Sequence, residues 1–173
     1  MLTIIKYIKF LPLATILLVL PVFGQSSAED DFKLARNLYK DAHDYATAST
    51  LFAEFIRNYP NDPQLAEARL LLARSYRNSD RCALAAPAYE AFFLEHPEHL
   101  ATADARRERA ACLSELGQYV PAARAYEQVQ RRFSASDFAA QALINAAANY
   151  TYGQDIQRAV DIYQRVLDDY ATT

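Results

Sequence analysis

The chain has 173 residues and a formal net charge of −3 at pH 7. The length is that of one domain, and the slightly acidic charge argues against a nucleic-acid binder, which would need a basic face. Only 3 glycines are present, and the residues after position 30 are dominated by Ala, Leu, Arg, Glu and Gln, which are good helix formers. Because no alternating apolar-polar run typical of a strand occurs there, the composition predicts an all-α fold.

Residues 1–24 differ from the rest of the chain and are predicted to be a signal peptide. Two lysines near the start precede an uncharged apolar run at 11–23, and small residues follow it, which is the arrangement of a secretory leader. The run is shorter than the roughly 20 residues that a transmembrane helix needs. We expect cleavage after Gly24, with cleavage after Ala28 or an uncleaved anchor as the alternatives.

The mature protein is therefore predicted to be periplasmic or otherwise exported, without stable membrane insertion. No cysteine precedes Cys82, so the sequence offers no acceptor for a lipoprotein anchor. Residues 25–30 are predicted to form a short linker, and residues 31–173 a single repeat domain.

A period of 37 residues organises this domain, as is typical of a solenoid. One column of the aligned repeats holds a small residue and the column four positions later an aromatic one. The two columns are Ala48, Ala85, Ala122 and Ala159, then Phe52, Tyr89, Tyr126 and Tyr163. This spacing places both columns on one face of a helix. A second helix precedes it in each repeat, and polar residues at 43–44, 80–81, 117–118 and 154–155 separate the two.

These columns resemble the tetratricopeptide repeat (TPR), a unit of two antiparallel helices. The third repeat carries the pattern most regularly, with Ala110, Leu113, Gly117, Tyr119, Ala122 and Tyr126. The resemblance implies a right-handed α-solenoid of four repeats. The expected repeats are about 29–64, 65–101, 102–138 and 139–173.

The sequence pattern of residues 52–76 is similar to the longer-loop TPRs of bacterial envelope proteins. The similarity lies in the spacing of its aromatic residues and in the YPNDP loop. Examples are the outer-membrane barrel-assembly lipoprotein and the Tol–Pal-associated division coordinator. This resemblance implies an adaptor or scaffold that binds a protein or peptide partner, in cell-envelope assembly or maintenance. It implies neither an enzyme nor a cofactor, and the chain departs from the first family in lacking its lipidated cysteine.

Partner binding in such a solenoid is expected on the concave face, which the first helix of each repeat lines. The candidate residues there are Lys33, Asn37, Arg74, Arg77, Asn78, Arg107, Glu115 and Tyr152. The three arginines could grip an acidic peptide through charge-assisted hydrogen bonds; the alternative is that all these residues are ordinary solvated side chains. The same alignment of the repeats also predicts that Leu70 is exposed on this face.

Some cytosolic TPR proteins clamp a peptide carboxylate with five residues. Lys33 and Asn37 match the first two of these, but Leu71, Asp104 and Glu108 occupy the other three. Two acidic side chains would repel a carboxylate, so the sequence argues against this clamp.

Cys82 and Cys112 are the only cysteines, and two cysteines in an exported domain indicate a disulfide. They are predicted to lie at the same end of two antiparallel neighbouring helices; the alternative is two buried free thiols. His96 and His99 are candidate ligands of a metal site. However, His96 occupies the column of aromatic residues that end the second helices, so a packing role is the simpler interpretation. No metal is therefore expected.

The sequence ends directly after the predicted last helix, although repeat arrays usually need a polar cap. We therefore expect either further repeats or a covering partner at this end. The alternative function is a structural array that continues into further repeats or stacks with a second copy.

Overall fold

The computed structural model describes residues 27–170, and this part contains eight α-helices and no strand. The helices are α1 (Ala28–Lys40), α2 (Tyr45–Asn58), α3 (Leu65–Asn78), α4 (Cys82–Glu95), α5 (Thr102–Glu115), α6 (Tyr119–Arg132), α7 (Ala139–Tyr152) and α8 (Ile156–Tyr170). None of the helices within 27–170 has both the length and the apolar character for spanning a bilayer. The predicted signal peptide and its cleavage after Gly24 lie outside the described residues.

Helix α1 begins earlier than the predicted linker allows. Ser27 caps it by accepting a hydrogen bond from the backbone N–H of Asp30 at 3.1 Å. Acidic residues at 29–31 then fill the first turn, where negative charge is favoured by the helix dipole. Residues 28–30 are therefore helical rather than linker.

The helices repeat with the predicted period. The first helices start at Ala28, Leu65, Thr102 and Ala139, each 37 residues after the one before, and the second helices at Tyr45, Cys82, Tyr119 and Ile156 keep the same step. Consecutive helices pack against one another from α1 to α8. This confirms the all-α solenoid of four helix pairs.

The alanine column lets these helices approach closely. Ala48, Ala85 and Ala122 are completely buried, and Ala159 is 3% exposed. The aromatic column fills the space beside them in the first three repeats, and Tyr89 is completely buried. In the fourth repeat Tyr163 is 42% exposed, because no helix within residues 27–170 follows α8.

The turn inside each repeat uses a left-handed residue at one fixed position. His43, Asp80, Gly117 and Gln154 have φ of 54°, 57°, 72° and 61°. In the second to fourth repeats the next residue donates its N–H to a carbonyl five residues earlier, as Gln118 does to Leu113 at 2.9 Å. This is the hydrogen bond of a Schellman motif, which ends a helix and usually places glycine at the left-handed position.

Candidate functional site

The first helices α1, α3, α5 and α7 contribute one shared surface, which we call the first-helix face. Asn78 of α3 donates a hydrogen bond of 3.3 Å from Nδ2 to the hydroxyl of Tyr39 on α1. Arg74 of α3 donates to Glu108 of α5. These contacts bring α1, α3 and α5, the first helices of three successive repeats, side by side.

Arg74 forms an ion pair with Glu108 of the same chain. Its Nε and Nη2 each donate to a different oxygen of Glu108 at 3.0 Å, and only 13% of the Glu108 side chain is exposed. The buried hydroxyl of Tyr89 lies beside this carboxylate: burial raises the pKa of Tyr89, and the charge of Glu108 raises it further. A two-bond contact of this kind fixes the guanidinium, so Arg74 is not a free cation.

The other two predicted arginines also face carboxylates. Nη2 of Arg77 lies 4.0 Å from Glu115, and Nη2 of Arg107 donates to Asp104 at 3.0 Å, with both side chains of the second pair nearly half exposed. Each predicted arginine of the first-helix face thus has a carboxylate within 4.0 Å, so an acidic peptide would compete with the protein's own carboxylates for these guanidinium groups. The acids lie 38 residues after Arg77 and 34 after Arg74, so a search at about one period would have found them.

Three of the predicted residues form an exposed row at one position of successive repeats. Asn78, Glu115 and Tyr152 are 37 residues apart, and all three are exposed. Tyr152 is 67% exposed although its ring packs against Tyr119, with centroids 5.4 Å apart. The row therefore presents an amide, a carboxylate and an aromatic ring to solvent along the first-helix face.

The remaining predicted residues differ in exposure. Lys33 and Asn37 are exposed on α1, whereas Leu70, expected on the surface, is buried with 5% exposure. Leu71 at a position of the carboxylate clamp is equally buried. Together with the engagement of Glu108 by Arg74, this agrees with the sequence argument against that clamp.

Cys82, the first residue of α4, is joined to Cys112 of α5, and their Cα atoms are 5.0 Å apart. Both are almost completely buried, and Oε2 of Glu115 lies 3.0 Å from Sγ of Cys82. These three side chains are the one group within residues 27–170 arranged as metal ligands. Only the reduced pair would offer thiolates to a metal, because thiolate is the ligand form of cysteine.

His96 and His99 have packing roles in the structure. Both rings lie against Phe92, with centroids 5.7 Å and 5.2 Å away. Nδ1 of His99 also accepts a hydrogen bond from the backbone N–H of Ala101 at 3.1 Å.

Comparisons with known proteins agree with the geometry. A family model of the tetratricopeptide repeat matches residues 31–62 and 141–173. No curated protein matches the chain. The structure is similar to that of a MamA protein, with a TM-score of 0.63 at 20% identity over 82% of this chain and 72% of that one.

Two further solved structures extend the comparison. Repeats described as nearly identical and TPR-like, from a putative kinesin light chain of Podosopora anserina, give a TM-score of 0.62 at 19% identity, covering 86% of this chain and 79% of that one. YrrB, described as a TPR protein with an unusual peptide-binding site, gives 0.64 at 18% identity, covering 84% and 70%. The chain therefore has the fold of a tetratricopeptide-repeat solenoid, and its first and last repeats carry the recognisable sequence of that repeat.

Proposed function

We propose that this protein is a periplasmic adaptor that binds an extended segment of a partner protein along the first-helix face. The exposed row of Asn78, Glu115 and Tyr152 is the observation that carries the proposal. It supplies one outward-facing side chain from each of three successive repeats. A segment crossing these repeats would meet a new recognition element at each one, as solenoid surfaces do.

The chemistry of the face favours a segment of mixed or neutral character over an acidic one. An asparagine amide can donate to and accept from a peptide backbone. The exposed ring of Tyr152 offers a large amphipathic anchor of the kind that dominates protein interfaces. Because Arg74, Arg77 and Arg107 already face carboxylates, an acidic partner would have to displace these pairs.

Export and an envelope role are supported by the signal-peptide pattern of residues 1–24 and by the resemblance to periplasmic adaptor repeats. Intact mass of the protein from a periplasmic fraction tests the export step. We expect the mass of a chain beginning at Gln25. A full-length chain found in the cytoplasm would contradict it.

Site-directed photocrosslinking tests the binding face. A photoreactive phenylalanine analogue replaces Asn78, Glu115 or Tyr152 in turn, and exposed Gln157 of α8 serves as the control position. We expect one partner to crosslink from at least two of the three face positions but not from the control. The proposal fails if capture from residue 157 equals capture from the face.

A second candidate function rests on the outer surface of α8. Ile156, Val160, Tyr163 and Leu167 are each 42–59% exposed and follow one another at helical spacing. At the equivalent positions of α6, Ala123 is fully buried and Tyr126 and Gln130 are 5% and 8% exposed. This contrast favours a structural array in which another helix covers α8.

Light scattering during dilution distinguishes the two functions. A monomer at all concentrations supports the adaptor, whereas a dimer that dissociates on replacing Val160 with Glu supports the array.

A further inference from the structure

One ion pair of the second repeat becomes a like-charge pair in the third. Nη2 of Arg69 lies 2.8 Å from Oε2 of Glu95 in the second repeat. One period of 37 residues further on, these positions hold Arg106 and Arg132. The third repeat therefore has an arginine at the same place on its first helix, α5, but a second cation where the second repeat has the carboxylate, at the end of α6.

Arg106 is held against an aromatic ring and forms no ion pair among residues 27–170. Its guanidinium lies 4.0 Å from the centroid of the Phe93 ring, and its buried Nε has no hydrogen-bond partner among residues 27–170. Burial lowers the pKa of Arg106, and the nearby charges of Arg132 and Arg109 lower it further. Glu90 cannot compensate fully, because it accepts a hydrogen bond from Arg109 at 3.0 Å.

An open cavity of about 330 Å³ lies at this position, lined by Arg106, Gln128, Arg131 and Arg132. Arg131 has a carboxylate 3.6 Å away, that of Glu127. Neither Arg106 nor Arg132 forms a salt bridge within the part of the chain that the structure describes. The cavity therefore combines two uncompensated guanidinium groups with one amide donor.

We propose that this cavity, the repeat-3 arginine cluster, binds a phosphate group. Two uncompensated positive charges match one phosphate dianion, whereas a single carboxylate would leave one of them unbalanced. Guanidinium groups present several fixed donors that fit phosphate oxygens. The amide of Gln128 can donate to a further oxygen.

This site is separate from the first-helix face. Arg106 and Glu108 are two residues apart on α5, which places their side chains about 160° apart around the helix. Phosphate binding at the cluster thus goes beyond the proposed function and does not depend on it.

Titration with inorganic phosphate at constant ionic strength, followed by NMR or calorimetry, tests the proposal. Arg132→Glu restores the arrangement of the second repeat, since the introduced carboxylate would pair with Arg106 as Glu95 pairs with Arg69. We expect this variant and Arg106→Gln each to weaken phosphate binding at least about tenfold. Arg57→Glu, which makes the same charge change at an exposed site on α2, is the matched control and should bind as the wild type does.

The proposal is overturned by three results: no saturable binding, equal weakening by Arg57→Glu, or full binding by Arg132→Glu. Circular dichroism of each variant verifies that it is folded, and Arg106→Gln provides a second route if Arg132→Glu is not.

Parallel titrations identify the source of the phosphate. Glycerol 3-phosphate that binds at least as tightly as inorganic phosphate indicates a phosphate ester of a larger ligand, and weaker binding indicates the free ion. Either result supports the site. Acetate binding as tightly as phosphate would overturn the assignment to phosphate.

Discussion

Arg74 and Glu108 connect the first helices of the second and third repeats through two hydrogen bonds of 3.0 Å each. The partners are 34 residues apart, and 28% and 13% of their side chains are exposed. A partly buried pair with two matched bonds contributes more than a surface ion pair. The contact therefore stabilises the junction of α3 with α5. It also compensates the positive charge of Arg74 on the first-helix face.

Glu108→Gln should lower the free energy of unfolding by about 1–2 kcal/mol, because it leaves the guanidinium of Arg74 partly buried without its counter-charge. Asp104→Asn is the matched control, since its partner Arg107 and Asp104 itself are nearly half exposed. This variant should cost no more than about 0.5 kcal/mol. Urea denaturation of both variants makes the comparison, and equal losses would contradict the special role of Glu108.

Periodicity was sufficient to predict the fold, because each repeat buries the same columns. Ala85 and Ala122 are fully buried as the small-residue column requires. The fourth aromatic position shows the limit of that logic: Tyr163 matches the column but is 42% exposed. Burial depends on a following helix, which a pattern inside one repeat does not encode.

Glycine at the left-handed turn position should stabilise the other repeats. Gln154 has φ of 61°, a conformation that costs a side-chain-bearing residue roughly 1 kcal/mol and glycine little. We expect Gln154→Gly to raise the free energy of unfolding by about 0.5–1 kcal/mol, and Gly117→Gln to lower it by a similar amount. Thermal and urea unfolding measure both.

No atom other than its own neighbours lies within 4 Å of a Cβ placed on Gly117. The effect of Gly117→Gln therefore reports backbone conformation and not a clash. A destabilised Gln154→Gly variant would show that the side chain of Gln154 outweighs the strain.

The sequence predicted which helices carry the candidate arginines, but not which side chains contact them. The register correctly brought Arg74, Arg77 and Arg107 to the first helices, yet each faces a carboxylate. Two of those acids lie in a neighbouring repeat, where side-chain rotamers decide which atoms meet. Considering one repeat at a time therefore identified the arginines but not the carboxylates that lie beside them.

Stability should fall as the pH rises above about 10, because several tyrosines have raised pKa values. Burial is the main cause for Tyr39, Tyr89, Tyr126 and Tyr150, and a hydrogen bond to Asp31 is the main cause for Tyr59. Their ordinary pKa is 10.0, so above that pH the unfolded chain loses protons that the folded chain retains. Linkage then favours unfolding.

Tyr89→Phe removes one of these groups while keeping the buried ring. Above pH 10 we expect the variant to lose stability less steeply than the wild type, by up to about 1.4 kcal/mol per pH unit. Urea midpoints at pH 7, 10 and 11 give the two slopes. Parallel slopes would show that Tyr89 ionises equally in both states.

The Cys82–Cys112 bond should stabilise the junction of the second and third repeats in the exported protein. It closes a loop with a sequence separation of 30 residues, and a disulfide of this kind typically contributes about 2–4 kcal/mol by restricting the unfolded chain. Protein purified from the periplasm should show no reactive thiol after unfolding without reductant. Its urea midpoint should fall when reductant is present throughout. The double variant Cys82→Ala with Cys112→Ala should have one midpoint under both conditions, which separates bond cleavage from any other effect of the reductant. Two thiols titrating in the unfolded, unreduced wild type would show that the cysteines are not paired in the cell.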